Sequence, residues 1–368
     1  MARRWPAAVA CGALAVLPVA APGAAVAGRA PTARPGTPVC QVRDERLNEI
    51  SGMVATDTGY VVVNDSADEE PRRRIFFLDA RCAVVRTVRY PTPPRDTEDL
   101  AIGRDGTVWV ADIGDNDEIR ETVAVWTLPP GASRPTLRRM AYPDGPHDAE
   151  ALLLTGDGRP VIVTKQAGTA GVYAPAAPPR AGATTPLTKA GQVRLPITTT
   201  GNPFSIFGRR LVTGGATAPD GRRVVLRTYA DAFEFDVPDG DVVKALTDGR
   251  PRTVPLPDEP QGESVSYSRD GRSLLTVSET AGQPPGTRPT ILRYALPDTA
   301  APAATTPAMS GDAAGRTAGS HASADGRAAG RGRSGSFLAG GATVAGVAGL
   351  ALLVVGLAWR SRRGGDRR

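Results

Sequence analysis

The sequence predicts an all-β domain of the β-propeller class, and three observations support this prediction. Short apolar runs alternate with turn residues across residues 38–298, and few segments there have the apolar spacing of a helix. Five similar units follow one another in that region. Its length of about 260 residues is also enough to enclose one large core.

Each unit contains a short strand, a turn that ends in glycine and a second strand. The units are SGMVATDTGYVVVND (51–65), EDLAIGRDGTVWVAD (98–112), EALLLTGDGRPVIVTK (150–165), TGGATAPDGRRVVLRT (213–228) and ESVSYSRDGRSLLTVSE (263–279). Asp-Gly occupies the turn in four of the five, and glycine permits the positive φ that a tight hairpin needs. Starts separated by 47 to 63 residues, with about four strands per unit, are typical of propeller blades.

The last unit predicts how the ring closes. A third strand follows at ILRYAL (291–296), but no fourth strand comes before the composition changes. The N-terminal segment VCQVRDERL (39–47) is free to supply that strand, which would remove an open sheet edge. We therefore count five blades. The long interval between the third and fourth units leaves room for a degenerate sixth blade around GNPFSIFGRRL (201–211).

The two ends of the chain predict export and membrane anchoring. Residues 1–27 combine Arg3 and Arg4 with an apolar stretch and a final Ala-Val-Ala, which is the order of a cleaved secretory signal. The predicted transmembrane helix covers 336–359, and its 23 uncharged residues 337–359 can cross a hydrocarbon core of about 30 Å. The basic tail 360–368 is predicted to be cytoplasmic, so the domain between the ends would be extracellular.

Two further segments lack the pattern of a folded domain. Residues 28–37 are predicted to be disordered, and residues 299–335 form a predicted low-complexity stalk rich in Ala, Gly, Ser, Thr and Pro. The signal contributes two and the tail four of the net charge of +6, so the remaining chain is neutral. This balance gives no support to a nucleic-acid partner.

Only two cysteines, Cys40 and Cys82, remain after the predicted signal is removed. Cysteines of an exported domain commonly pair, and two separate buried thiols are the alternative. A disulfide here would close a loop of about 43 residues and stabilise the fold by roughly 4 kcal/mol. It would also join the predicted closing strand to the first blade.

Acidic residues recur where the first strand of a unit begins and where the second strand ends. These two points lie on the same face of an antiparallel blade, so the side chains should surround one mouth of the central channel. The acidic residues are Glu98, Glu150 and Glu263 at strand starts and Asp65, Asp112 and Glu279 at strand ends, and the basic Lys165 occupies the corresponding strand end of the third unit. Oxygen ligands suit Ca²⁺, and the candidate metal ligands are Glu98, Asp112, Glu150 and Glu263.

Two alternatives to a bound cation remain for the acidic residues. Lys165, Arg227 or Arg95 could pair with them, or the carboxylates could cap turns and accept hydrogen bonds from backbone amides. The segment DIGDNDE (112–118) does not have the spacing of an EF-hand loop. Any cation site would therefore be assembled from several blades.

Signals for catalysis are weak. His147 is the single histidine of residues 38–298, and His147, Asp148 and Glu150 in PHDAE (146–150) are the weak catalytic candidates. No nucleophile elbow, Walker loop or H-E-x-x-H motif is present. These observations favour a binding protein over an enzyme, with Ca²⁺ as its one possible cofactor.

Several segments carry a resemblance to known proteins: NEISGM (48–53), DTEDLAIG (96–103), ADIGDN (111–116), YPDGPHDAEALLL (142–154), APDGRRVVLRTY (218–229) and PQGESVSYSRDG (260–271). They resemble a group of exported bacterial propellers, many of them actinobacterial, without an assigned activity. More distantly, the chain is similar to phytase-type esterase-like and lactonase-like propellers. That similarity implies a divalent metal held by acidic channel residues, with Glu98, Asp112, Glu150 and Glu263 in similar places. The fourth unit departs from it, with Thr213-Gly214-Gly215 where the others have an acid.

The sequence thus predicts a membrane-anchored extracellular propeller that acts as a binding or sensing module, stabilised by Ca²⁺. A metal-dependent hydrolase of phosphoester or lactone type is one alternative. A structural adhesion propeller is the other. The predicted partners are the membrane, through residues 337–359, and an extracellular ligand.

Overall fold

The computed structural model describes residues 34–65 and 67–297. The predicted signal peptide, stalk, transmembrane helix and cytoplasmic tail lie outside these ranges. Within them, no helix has the length and apolar character that a membrane crossing requires.

The first three blades are antiparallel sheets of four consecutive strands. The first contains β2 (Ile50–Ala55), β3 (Gly59–Asn64), β4 (Arg74–Asp79) and β5 (Val84–Arg89). The second contains β6 (Thr97–Ile102), β7 (Val108–Asp112), β8 (Val123–Leu128) and β9 (Thr136–Ala141). The third contains β10 (Ala149–Leu154), β11 (Pro160–Thr164), β12 (Ala170–Pro175) and β13 (Thr184–Val193).

The last two blades differ in how they obtain a fourth strand. The fourth contains β14 (Gly214–Thr217), β15 (Arg223–Arg227), β16 (Asp231–Asp236) and β17 (Arg252–Pro255). The fifth contains β18 (Gly262–Tyr267), β19 (Ser273–Ser278), β20 (Thr290–Ala295) and, from the other end of the chain, β1 (Thr37–Gln41). Because β1 pairs with β20 in antiparallel register, a strand from the N-terminal segment closes the ring as predicted. It spans Thr37–Gln41 and not 39–47, and it begins inside the segment that was predicted to be disordered.

The blades form a closed ring around their innermost strands. β2, β6, β10, β14 and β18 contact one another in that order, and β18 returns to β2. Five apolar clusters fill the spaces between successive blades, including the space between the fifth and the first. The strand order and packing therefore define a five-bladed propeller within the described residues.

The turns between first and second strands follow the sequence prediction. Gly106 and Gly221 in the Asp-Gly turns have φ values of 79° and 70°, a region that L side chains rarely adopt. These turns lie on one face of the ring. The face with the acidic residues, where each first strand begins, is opposite.

Two features were not predicted. β13 is ten residues long and also pairs in parallel with β9, which joins the second and third blades into one eight-stranded sheet. A short helix, α1 (Val242–Asp248), connects β16 to β17, and Asp241 caps it by accepting the N–H of Lys244. The possible sixth blade at 201–211 is not formed, because this segment is a loop with one 3₁₀ turn.

The disulfide between Cys40 and Cys82 is present, with a Cα–Cα distance of 5.8 Å. Cys40 lies on β1, and Cys82 lies in the turn between β4 and β5 of the first blade. The bond therefore fastens the strand that completes the fifth blade to its neighbour in the ring.

Candidate functional site

Three glutamates occupy β-bulges at the starts of innermost strands. The pairing of β6 with β7 passes from Thr97 to Asp99, so Glu98 is an additional residue without a partner in the ladder. The same shift leaves out Glu150 in β10 and Glu263 in β18. A bulge redirects its side chain. β14 pairs without such a shift, whereas the same shift in β2 falls on Ser51, so the bulge is not confined to the units that carry an acid there.

The closest group of carboxylates comes from the first and second blades. Asp65 follows β3, and Asp96 and Glu98 flank the start of β6. Ligand oxygens of these three residues lie within 4.8 Å of one another. Burial raises the pKa of Asp65, and the negative charge of Asp96 raises it further. Burial also raises the pKa of Glu98, with Glu150 as the next contributor.

Gly114 provides the space for this group. A Cβ atom built on Gly114 would overlap Glu98 Oε1 and would lie 2.7 Å from Asp96 Oδ2. Glycine at this position, in the segment ADIGDN, therefore lets two carboxylates approach the backbone.

Three further glutamates complete the cluster, which we call the acidic mouth: Asp65, Asp96, Glu98, Glu150, Glu263 and Glu279. Burial raises the pKa of Glu150, Glu263 and Glu279. Gln261 donates to Glu263 Oε1 at 3.4 Å, and Gln261 also donates to Glu279. Within the described residues, no hydrogen bond of normal geometry reaches the buried Glu263 Oε2, although the nearby Tyr229 hydroxyl acts to lower the Glu263 pKa.

Lys165 is a cation within the acidic mouth. Its Nζ forms an ion pair with Glu150 Oε1 and lies 5.8 Å from the centroid of the Tyr229 ring. Burial opposes the charged form, but Glu150 and its neighbours outweigh burial and raise the pKa of Lys165 well above its ordinary value. Lys165 therefore remains charged and offsets part of the negative charge.

Asp112, a predicted metal ligand, is placed in a different environment. Its carboxylate accepts Arg120 at 2.9 Å and the indole N–H of Trp126 at 3.2 Å. The backbone N–H groups of Arg95 and Asp96 also donate to it. These contacts make Asp112 a structural residue that holds the entry to β6, as in the capping alternative.

Among the described residues, Arg227 forms its ion pair with Glu259 and not with a carboxylate of the acidic mouth. It is fully buried and donates to Glu259 at 3.1 Å and to the carbonyl oxygen of Ser264 at 2.8 Å. Glu259 also accepts hydrogen bonds from Thr276, Ser278 and Tyr294. This network joins the fourth and fifth blades, and no sequence motif identified Glu259.

The three catalytic candidates have different partners and do not form one group. His147 Nε2 lies 2.9 Å from Asp144 and 2.8 Å from the Tyr173 hydroxyl, in a group that also contains Lys189. Asp148 accepts the backbone N–H of Asp115 at 2.8 Å. Glu150 instead faces Lys165 in the acidic mouth.

One carboxylate lies inside the ring. Asp99 is fully buried and accepts the N–H groups of Leu100 at 2.8 Å, Leu152 at 2.8 Å and Gly215 at 3.0 Å. Burial raises the pKa of Asp99, and these three donors act in the opposite direction. In the sequence Asp99 is one of several acids near the start of β6, and no local signal separates it from the others.

Comparisons with known proteins add little to this geometry. No protein family and no curated protein matches the chain. Two solved structures are similar to it: U3-55K at 13% identity, over 67% of this chain and 68% of that one, and the WD40 repeats of RRP9 at 12% identity, over 67% of each. The TM-score is 0.36 in both cases, which is too low for the likeness to indicate a shared fold or function. The ring of innermost strands defines the propeller fold by itself, and the resemblance to exported bacterial propellers stays a prediction.

Proposed function

We propose that the chain is a cell-surface binding module whose propeller holds a divalent cation, Ca²⁺, at the acidic mouth. The proposal is carried by the group of Asp65, Asp96 and Glu98 over Gly114. The predicted signal and anchor support the location at the cell surface. The arrangement of carboxylate oxygens supports the bound cation.

The donor atoms fit a hard cation. The three closest ligands are all carboxylates from two neighbouring blades, and Ca²⁺ prefers six to eight oxygen ligands in flexible geometry. Glu98 lies in a bulge outside the strand ladder, so its side chain can turn toward a ligand. Gly114 keeps the space beside it open.

Charge balance supports the same proposal. The acidic mouth contains six carboxyl groups, and the ion pair with Lys165 offsets the charge of Glu150. Burial raises the pKa of Asp65, Glu98 and Glu279, and neighbouring carboxylates raise it further, so the metal-free fold disfavours their ionised forms. A divalent cation would let them ionise together.

A binding role fits this site better than a catalytic one. The group is built from carboxylates, and His147 lies in a separate cluster with Asp144 and Tyr173. The metal-dependent hydrolase and the structural adhesion propeller stay predictions from the sequence.

The test is thermal unfolding of the full chain with added Ca²⁺ and then with a chelator. At a Ca²⁺ concentration of a hundred times Kd we expect stabilisation by about 2.7 kcal/mol, reversed by the chelator. Glu98→Gln and Gly114→Ala should abolish the response, because the first removes a ligand and the second fills its space.

The matched control is Asp157→Asn, which changes a carboxylate in an exposed turn on the opposite face. This variant should respond to Ca²⁺ like the parent chain. The proposal fails if the parent shows no Ca²⁺-dependent stabilisation, or if Glu98→Gln and Gly114→Ala retain it.

A further inference from the structure

A long loop between β13 and β14 lies on the same face as the acidic mouth. We call residues 194–213 the flap. Thr200 Oγ1 donates to Asp231 at 2.7 Å, and Thr198 donates to the other oxygen of the same carboxylate. The Phe204 ring packs against Tyr229 with centroids 4.4 Å apart. These contacts fix the flap onto the fourth blade.

The flap exposes large apolar side chains although its inner side is anchored. Ile197, Ile206 and Phe207 are 67%, 47% and 43% exposed, while Leu211 is buried. Half of the six exposed large hydrophobic residues in the described ranges belong to this one loop. Because the fold does not use these side chains, they indicate a surface that contacts something else.

The charged side chains of the flap itself are all basic. Residues 158–219 contain no Asp or Glu. Three cations in this stretch, Arg194, Arg209 and Arg210, lie in the flap. None of them forms an ion pair with any residue in the described ranges. The flap therefore presents apolar side chains next to positive charge.

We propose that the flap docks on an anionic lipid bilayer. Exposed aliphatic and aromatic residues beside arginines are the combination that binds at a charged membrane interface. An acidic protein surface would match the charge, but residues 337–359 of the same chain are predicted to insert into a bilayer, which favours lipid.

The anchor can reach that geometry. The last described strand, β20, ends on the face opposite the flap, so docking of the flap requires a connection long enough to reach past the domain. Thirty-nine residues separate Pro297 from Phe337, and they can span at most about 130 Å. That length exceeds the roughly 50 Å breadth expected of a compact domain of about 260 residues, so either face can approach the membrane.

The experiment places an environment-sensitive fluorophore on the flap of the full chain. Phe207→Cys carries the label, and Val85→Cys is the matched control, because Val85 is 66% exposed on the outer strand β5. The parent chain without an introduced cysteine provides the background. Each protein is combined with vesicles of phosphatidylcholine, with or without phosphatidylglycerol.

We expect a blue shift of the emission at position 207 in vesicles that contain phosphatidylglycerol. The shift should diminish at high salt and in an added Arg194→Gln background, because both weaken attraction to anionic lipid. The label at position 85 should not respond.

Three results would overturn the proposal. The first is no difference between positions 207 and 85, and the second is an equal shift in neutral vesicles. The third is a shift at position 207 when soluble polyglutamate is added to neutral vesicles, with no shift in vesicles that contain phosphatidylglycerol. That result would assign the flap to an acidic protein.

Discussion

Asp99 in β6 and Gly215 in β14 are hydrogen-bonded across the centre of the ring, with the carboxylate accepting the Gly215 N–H at 3.0 Å. They are 116 residues apart in sequence and belong to blades that are not neighbours. Because the same oxygen accepts Leu152 N–H from the third blade, one carboxylate joins three innermost strands.

Asp99→Ala should therefore be strongly destabilising. The change leaves three buried N–H donors without an acceptor, and each unsatisfied donor costs about 1–3 kcal/mol. We expect a loss of about 3 kcal/mol or more in urea unfolding. Asp105→Ala in the neighbouring exposed turn should lower the free energy of unfolding by about 1 kcal/mol. Asp105 accepts its side-chain hydrogen bonds from the N–H and the hydroxyl of the partly exposed Thr107. Equal losses would contradict this role for Asp99.

Lys165→Met should increase the affinity for Ca²⁺. Lys165 repels a cation that enters the acidic mouth, so removing its charge should tighten binding by about tenfold or more. The metal-free variant should be less stable, since Glu150 loses its partner. Calorimetric titration measures the affinity, and Lys189→Met, whose partner Asp144 lies outside the acidic mouth, is the control. Unchanged affinity in Lys165→Met would count against a cation near Glu150.

The metal-free chain should lose stability as pH rises. The folded pKa values of Asp65, Glu98 and Glu279 are raised above 3.8 and 4.5, so their protonated forms stabilise the fold at low pH. This contribution is lost as pH passes upward through the raised values. In chelator, the unfolding temperature should fall as pH rises above about 4, where the unfolded carboxyl groups ionise.

Ca²⁺ should remove that dependence, because its ligands must be ionised and its binding strengthens as pH rises. The measurement is the same unfolding series with saturating Ca²⁺, in which the fall should flatten or reverse. A chelated protein that becomes more stable from about pH 5 to about pH 8 would show that the carboxyl groups are already ionised and paired.

Cys40→Ser with Cys82→Ser should weaken ring closure. In the chain-entropy model, removing a cross-link over 42 residues costs about 4 kcal/mol. We expect urea unfolding at lower concentration, together with faster amide exchange along β20, where β1 pairs. Amide exchange along β15 in the fourth blade serves as an internal control. A uniform increase in all blades would indicate global unfolding and not release of β1.

Much of the architecture could be predicted because it depends on local signals. The Asp-Gly turns and the regular spacing of apolar runs identify the blades, and the missing strand after residue 296 identifies β1 as the closing strand. The placement of Asp65 beside Glu98 follows from strand direction alone. The pairing of Cys40 with Cys82 follows from their position at the predicted closure.

The division of the acidic residues could not be predicted, because it depends on which donors reach each carboxylate in the folded chain. Asp112 is a structural residue because Arg120 and Trp126 of the same blade donate to it, and no sequence motif marks either of them as its partner. Asp96 joins Glu98 because a bulge turns Glu98 out of the ladder. The interval that contains the flap is long enough for a sixth blade. Spacing alone cannot distinguish a weak strand from an anchored loop, so the sequence left both open.

The closing strand also sets the order in which this chain can fold. β1 is made first, but its partner β20 is made last, about 250 residues later. During synthesis, β1 stays without its partner until the last blade has been made. Cys40 and Cys82, by contrast, come close in time, although their strands belong to different blades. A Cys40–Cys82 disulfide that forms early would hold β1 against the first blade, next to the position that the fifth blade later occupies.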